Sequence, residues 1–331
     1  MKRKLDILIP QYNEDDKIIK PILDSLLVQQ NVDFDDFGVI ICNDGSDIKL
    51  SDSLLNSYPF KIEYYQEEHC GVSATRNACL DHSHADYVMF CDADDMFCNV
   101  CGLFIIFREI ENGGFQALIS NFTEETRNPE TKEIIYINHE QLDGTFVHGK
   151  VYNRKYLIDN RIRFNPELTI HEDSYFNTLA RVFANPEKAK WCPVPFYLWK
   201  WRDDSVCRHD PKYILKTYNN MLESSTALVN EIKRRGKSDI SQEIATQMIF
   251  DAYYTMNKKE WIDQENQEYR RNTEKRFKKY WDDFKDFFNS IDEQKKNAII
   301  VGQRNRFFQE GMMLETITFN DWIKHIEEEY K

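Results

Sequence analysis

The chain has 331 residues, 41% of them hydrophobic and 30% charged, with only 11 Gly and 9 Pro; it is long enough for a sizeable core and two domains, and too rich in core-forming residues to be disordered, fibrous or of low complexity. A formal charge of −13 excludes whole-surface attraction to nucleic acid or anionic lipid and leaves only local basic patches for such partners. No apolar run approaches the ~20 residues of a membrane helix, the run after Met1-Lys2-Arg3-Lys4 is too short and too charged for a signal peptide, and the eight cysteines read as free thiols, so the expected chain is cytoplasmic and lacks a transmembrane segment.

In chain order, the first 120 residues alternate strand and helix patterns. Leu5 to Ile9 is an apolar run that Pro10 ends, and Asp16 to Gln30 carries Ile18, Ile19, Ile22, Leu23, Leu26 and Leu27 at helical spacing. Phe37 to Cys42 predicts a second strand, Leu50 to Tyr58 a short helix and Lys61 to Tyr65 a third strand. Val72 to His82 predicts a helix, Tyr87 to Cys91 a strand, Phe104 to Glu111 a helix and Ala117 to Ser120 a strand. This alternation implies crossovers and a mostly parallel sheet flanked by helices, an α/β fold class.

Beyond residue 121 the pattern changes. Ile134 to Ile137 and Phe146-Val147 predict strands, Tyr152 to Asn160 and Ser174 to Ala184 helices, and Trp191 to Trp201, punctuated by proline, edge strands or a packed loop. From Asp210 the pattern is helical, broken at Gly236, with further helices at Ile240 to Met256, Tyr269 to Phe288 and Phe319 to Tyr330. The expected domains are 1–209 and a helical C-terminal domain at 210–331.

The most informative feature is Asp92-Ala93-Asp94-Asp95, which ends the apolar run Tyr87-Val88-Met89-Phe90-Cys91. Strand ends in open α/β sheets are where ligands bind, and carboxylates two residues apart there can share one hard cation that bridges to a diphosphate. A solvated acidic turn, or a helix N-cap before Met96, is the plain alternative. Oxygen donors suit Mn²⁺ or Mg²⁺ rather than zinc. Cys98-Asn99-Val100-Cys101 is a lone CxxC without a second pair at zinc spacing.

An ordered set of segments surrounds this tetrapeptide: Ile9-Pro10-Gln11-Tyr12-Asn13-Glu14, Asn43-Asp44-Gly45-Ser46-Asp47, Gly71-Val72-Ser73-Ala74-Thr75-Arg76-Asn77 and His171-Glu172-Asp173-Ser174-Tyr175-Phe176. Over roughly residues 5–205 the set resembles the family 2 glycosyltransferases of the GT-A fold. The resemblance implies a Rossmann-like GT-A sheet and inverting transfer from a nucleotide-diphosphate sugar, most simply a UDP-sugar, to an acceptor hydroxyl on a surface polysaccharide or other glycan. It implies that Pro10, Tyr12 and Glu14 line the nucleotide pocket and that Asp44 accepts a hydrogen bond from the uracil ring. Arg76 would face the base or the diphosphate, against the alternative of a solvated charge. Asp92 would lie near ribose and metal, Asp94 would be the main metal ligand, and Asp95 would support them or cap a helix. Asp173 would be the general base and Glu172 would position the acceptor or its loop, the plain alternative being acids that suit a helix's first turn.

Within Trp199-Lys200-Trp201-Arg202-Asp203-Asp204-Ser205, the resemblance makes Arg202 a diphosphate contact and offers Trp199 or Trp201 as a sugar-stacking face, with core packing as the alternative. His209 is a candidate metal or phosphate contact, or a structural histidine. His148-Gly149-Lys150 resembles an acceptor-side segment. Asn43 stands where many members carry a second Asp.

Two other readings remain open at this stage. A nucleotidyltransferase would carry a Gly-rich loop with a Lys after the first strand, where this chain has Tyr12-Asn13-Glu14-Asp15-Asp16. A non-catalytic nucleotide-sugar-binding module would keep the fold without needing the acids. The segments Tyr269-Arg270-Arg271 and Lys275-Arg276-Phe277-Lys278-Lys279-Tyr280-Trp281 interleave basic and aromatic residues. They admit a nucleic-acid acceptor, such as hydroxymethylated bases of phage DNA, or an amphipathic helix with its aromatic rings inward. Oligomeric state is not legible.

Overall fold

A computed structural model describes residues 2–128, 130–140, 145–202, 212–310 and 317–331, and the chain divides into two units, Met1–Ser205 and Val206–Lys331. In the first unit, Leu5–Gln11 (β1), Phe37–Asp44 (β2), Lys61–Glu67 (β3) and Tyr87–Phe90 (β4) form a parallel group in the order β3-β2-β1-β4. Between them run the helices Asp16–Leu27 (α1), Asp52–Leu55 (α2) and Val72–His82 (α3). β1, β2 and β4 are apolar along most of their length because helices cover both faces of a parallel sheet; Leu5, Ile7, Val39, Ile41 and Met89 are fully buried. Asp15 starts α1, its Oδ1 accepting from the backbone N–H groups of Lys17 and Ile18, each at 3.0 Å.

Past β4 the pairing changes direction. The elements are Met96–Phe97 (β5), Gly102–Glu111 (α4), Ala117–Arg127 (β6), Ile134–His139 (β7), Lys150–Asn153 (β8), Arg154–Asp159 (α5), Glu172–Phe183 (α6) and Ala189–Trp199 (β9). β8 is antiparallel to both β4 and β6, β9 is parallel to β6, and β7 is antiparallel to β6. The sheet of nine strands is therefore parallel across its first four strands and mixed beyond.

Three sequence expectations change here. The strand expected at Phe146-Val147 lies at Lys150–Asn153, and the helix expected from Tyr152 begins at Arg154, where the Asn153 side chain accepts from Tyr156 N at 2.8 Å. The Trp191–Trp201 segment forms strand β9, whose Tyr197-Leu198 end lies between β6 and β5, while Ala189–Cys192 pairs with β6 alone among the described residues. Its prolines are tolerated because Pro193 and Pro195 fall in a register shift, between the pairs Ser120↔Cys192 and Phe122↔Tyr197. No helix follows Asp95, because Met96-Phe97 pairs with Leu198 and Tyr197 of β9; Asp95 is therefore not an N-cap.

The second unit is helical in its described residues: Tyr213–Arg234 (α7), Ser238–Met256 (α8), Lys259–Ile262 (α9), Gln267–Ser290 (α10), Glu293–Gln309 (α11) and Phe319–Glu329 (α12). Its core includes Leu222, Val229, Ile249, Trp261, Phe277 and Trp322, all fully buried. The helix at 293–309 was not expected from periodicity. Its apolar residues clump at Ala298–Val301, and only Gln303 and Phe307 are buried. In α10, Phe277, Tyr280, Trp281 and Phe284 are all buried, so these rings are not offered to nucleic-acid bases. Residues 206–331 hold 22 basic and 22 acidic side chains, so the helical unit has no net charge to attract a polyanion. No helix is long and apolar enough to cross a membrane among the described residues.

Candidate active site

The strand ends of the parallel group and the start of α6 converge on one site. Its first wall follows β1. Asn13 adopts a left-handed φ of 67°, which turns the chain so that Glu14 Oε2 accepts from Tyr12 N at 2.6 Å. Gln11 Nε2 ties this turn to the next loop by donating to the carbonyl oxygens of Glu14 and Ile48 at 2.6 and 3.2 Å.

The second wall follows β2, where Asn43 and Asp44 divide the work. Asn43 is buried and holds its own loop: its Nδ2 donates to Tyr64 Oη and Ile48 O, and its Oδ1 accepts from Ser46 N. Asp44 accepts from Cys70 N at 2.8 Å and Gly71 N at 3.1 Å, and its Oδ2 lies 3.0 Å from His69 Nδ1. The carboxylate expected to read a pyrimidine is thus already engaged in holding residues 69–71, the entry to α3. His69 stacks on Tyr12 with ring centroids 4.7 Å apart. Between these loops, Gly45 has a φ of +68° and would place a Cβ 2.5 Å from His69 N. Gly45→Ala is therefore expected to destabilise the fold by about 2–3 kcal/mol, and unchanged chemical denaturation would refute that strain.

Pro10, Tyr12, Glu14, Asp44, Asp92 and Asp94 meet around one cavity of about 300 Å³, together with Gln11, His69, Gly71, Val72, Thr75 and Ala93. His69, Val72 and Thr75 were not among the expected site residues. The available signal was position: His69 sits two residues before the helix-capping Gly71, at the end of a parallel strand.

Arg76 does not line this cavity. It is 4% exposed; Nη1 donates to Glu172 Oε1 at 2.9 Å and Asp173 Oδ1 at 2.8 Å, and Nη2 donates to Asp92 Oδ1 at 2.9 Å. Its plane lies over Phe164, 5.3 Å from the ring centroid. Burial works against its charge, but Asp173, Asp92 and Glu172 outweigh burial and hold its pKa above the usual value. The expectation that Arg76 faces the nucleotide is corrected: the fork geometry of the guanidinium is used to join the acidic strand end to the start of α6.

Glu172 and Asp173 open α6 directly after His171, which adopts a left-handed φ of 63°. Asp173 Oδ2 accepts from Val147 N at 3.0 Å. Its pKa is pushed up to about 7, chiefly by burial; Arg76 opposes the shift, and Glu172 and Asp92 add to it.

In the tetrapeptide, Asp94 Oδ2 accepts from Arg202 Nη1 at 2.9 Å, and that guanidinium also approaches Glu14 at 3.9 Å. Burial raises the pKa of Asp94, and the neighbouring charge of Asp92 raises it further. Asp95 is 1% exposed and supports the site from behind: Oδ2 accepts from Tyr197 Oη at 2.5 Å and Oδ1 from Lys200 N at 2.8 Å. Tyr197 Oη in turn accepts from Asp92 N at 3.1 Å. His148 stacks on Tyr197 at 4.7 Å and on Phe146 at 5.0 Å. Trp199 packs against Phe146 and His148, and Arg127 lies over the ring of Trp201. The segment His209, Asp203, Asp204 and Ser205 lies outside the described residues.

The donor set fits a hard divalent cation. The cavity is lined by four carboxylates, Glu14, Asp44, Asp92 and Asp94, and by no lysine or arginine among the described residues. A diphosphate in such a lining would meet like charges, which a divalent cation, or the Arg202 guanidinium beside Asp94 and Glu14, would offset. Asp92 and Asp94 would hold that cation. Asp95 and His148 also bring a donor atom within 4.8 Å of one on Asp92, but both oxygens of Asp95 already accept hydrogen bonds.

Residues 6–160 match the model of glycosyl transferase family 2. The chain is 24% identical over 252 residues to glycosyltransferase GlyA of Streptococcus pneumoniae, covering 69% of this chain and 35% of GlyA. It is 26% identical over 125 residues to the minor teichoic acid biosynthesis protein GgaB of Bacillus subtilis, covering 37% of this chain and 12% of GgaB. The chain thus spans about a third or less of the length of these relatives. Among solved structures, S. aureus TarS 1–349 superposes with a TM-score of 0.63 at 17% identity, covering 94% of this chain and 92% of that one. The same TarS fragment in complex with UDP-GlcNAc gives 0.59 at 17% identity, covering 94% and 93%.

Proposed function

Because the chain belongs to glycosyl transferase family 2 and has the GT-A fold, we propose that this glycosyltransferase moves a sugar, with inversion, from a UDP-sugar to a hydroxyl of a cell-surface glycan or polymer. One observation carries this reading: Arg76 bonds Asp92, at the cavity, and Asp173, at the head of α6, in one buried cluster. Donor cavity and candidate base are therefore held together by a single fixed cation. The TarS complex with UDP-GlcNAc supports the uridine donor, and the part of GgaB in minor teichoic acid biosynthesis supports a surface-polymer acceptor.

In this scheme the acceptor hydroxyl approaches the anomeric carbon from the side of Asp173, whose carboxylate takes its proton as the new bond forms. Arg76 and Val147 N fix both oxygens of that carboxylate. The stacked pair Tyr12 and His69 offers an aromatic face to the nucleobase, and Arg202 moves from Asp94 toward the diphosphate. Bound Mn²⁺ or Mg²⁺ at Asp92 and Asp94 would supply Lewis-acid stabilisation of the leaving diphosphate. Residues 1–209 form the catalytic domain, and the helical domain 210–331 selects the acceptor or mediates assembly.

Asp94→Asn is expected to lower kcat/KM by at least about 10²-fold, the scale of several kcal/mol that such stabilisation supplies. Titration with Mn²⁺ checks it, and a wild-type rate in excess chelator would remove the cation from the scheme. Asp173 must be deprotonated to act, so kcat/KM should rise about tenfold per pH unit on the acid side and level off near or below pH 7, where Asp173 titrates. A cation beside Asp92 favours the charged carboxylate and moves the inflexion downward, never upward. A profile flat from about pH 5 to 8 would speak against Asp173 as the base.

A further inference from the structure

A second cluster of metal-ligating side chains lies away from the acidic tetrapeptide, where β2, β3 and α3 meet. In the parallel register of β2 and β3, Cys42 pairs with Tyr65 and Asp44 with Glu67. Side chains alternate along a strand, so Cys42, Tyr65 and Glu67 share one face of the sheet with Asp44. α3 crosses that face and brings Cys79 and His82, three residues apart and on one side of the helix. One donor atom each from Cys42, Glu67 and His82 lies within 4.8 Å of the others. His82 Nε2 is 2.9 Å from Glu67 Oε1, and its ring is fixed by stacking on Tyr65 at 3.6 Å and 4°. The Cys79 thiol donates to Ile9 O at 3.6 Å, which leaves it outside the donor group of Cys42, Glu67 and His82. Cys42 and Cys79 are fully buried, whereas the side chains of His82 and Glu67 are each 34% exposed at the sheet edge formed by β3, which leaves an ion a way in.

The geometry points to a zinc-class metal site made by Cys42, Glu67 and His82, with the fourth position left to a solvent ligand at the exposed sheet edge. Thiolate, imidazole and carboxylate are the donors of tetrahedral Zn²⁺, and this set differs from the all-oxygen pair at Asp92 and Asp94. With metal–ligand distances of roughly 2.0–2.3 Å, tetrahedral donors sit about 3.5 Å apart, so the three donors of Cys42, Glu67 and His82, all within 4.8 Å of one another, close by about an ångström or less each. Binding would release the Cys42 thiol proton to solvent. It would also clamp α3 onto β2 and β3 one turn beyond Arg76, and so hold both the Asp44–Gly71 contact and the Arg76 fork. This site does not depend on the reaction proposed above.

Titration of the reduced, metal-free full chain with Co²⁺ tests it. The expected result is uptake of one thiolate-bound Co²⁺ per chain, seen as a sulfur-to-cobalt charge-transfer band, and a Zn²⁺-dependent rise in thermal midpoint. Cys42→Ser should abolish the band and His82→Ala should weaken Co²⁺ binding at least roughly 10–100-fold, while Asp94→Asn should leave the band intact. Because Cys42 is buried, Cys42→Ala and a thermal melt of each variant check that loss of the band is not loss of fold. No charge-transfer band from the folded wild-type chain, a band that survives Cys42→Ser, or a Cys42–Cys79 disulfide under mild oxidation that Zn²⁺ does not block would overturn the proposal.

Discussion

Asp173→Asn is expected to lower kcat by about 10²–10⁴-fold, the contribution of a positioned general base, while UDP binding stays within a few-fold of wild type. The amide keeps the shape of the carboxylate and can still accept from Val147 N or Arg76, whose hydrogen bonds at 3.0 and 2.8 Å now hold it. It cannot take a proton. The loss should therefore fall on kcat rather than on donor affinity, the pattern of an interaction made only in the transition state. Steady-state transfer assays beside calorimetric UDP titration separate the two. A variant with near-wild-type kcat would leave Asp173 as a structural acid at the head of α6 and would require another base.

Arg76→Met is the second large effect, and it falls on stability as well as activity. Three carboxylates, on Asp92, Glu172 and Asp173, bond this one buried guanidinium. Removing it leaves like charges facing one another in a low-dielectric site. Breaking a buried pair of this kind costs about 3–5 kcal/mol, and transfer should fail because Asp92 and Asp173 lose their common anchor. Arg76→Lys should restore only part of the stability, since a single ammonium cannot reproduce the fork that spans both strand end and helix. Urea denaturation reads the first effect and transfer assays the second. If Arg76→Met unfolds at the wild-type midpoint, the acids are held by something other than Arg76.

The metal-site and active-site proposals meet at α3. Gly71 at its start faces the cavity, Arg76 in its first half binds the acids, and Cys79 and His82 in its second half face Cys42 and Glu67. Loss of Zn²⁺ would therefore be expected to soften donor binding without touching a group that contacts the donor.

Much of the parallel half of the fold was legible because its information is local. Short apolar runs between helical periods specify buried strands, and their ends locate a binding crevice; Pro10, Tyr12, Glu14, Asp44, Asp92 and Asp94 do line one cavity. What local pattern could not show was pairing across long stretches of chain. β6 pairs with β9 some seventy residues later, and the prolines of that segment sit in a register shift of the pairing. Arg76 teaches the same lesson at the site: its helix was evident from spacing, but its partners Glu172 and Asp173 lie 96 and 97 residues away. The sequence by itself determined which strand ends carry acids and which helices follow them, because those are matters of composition and period. Only the tertiary structure decided which charge each acid meets, because a buried carboxylate takes the partner that the packing of distant elements places within hydrogen-bond reach.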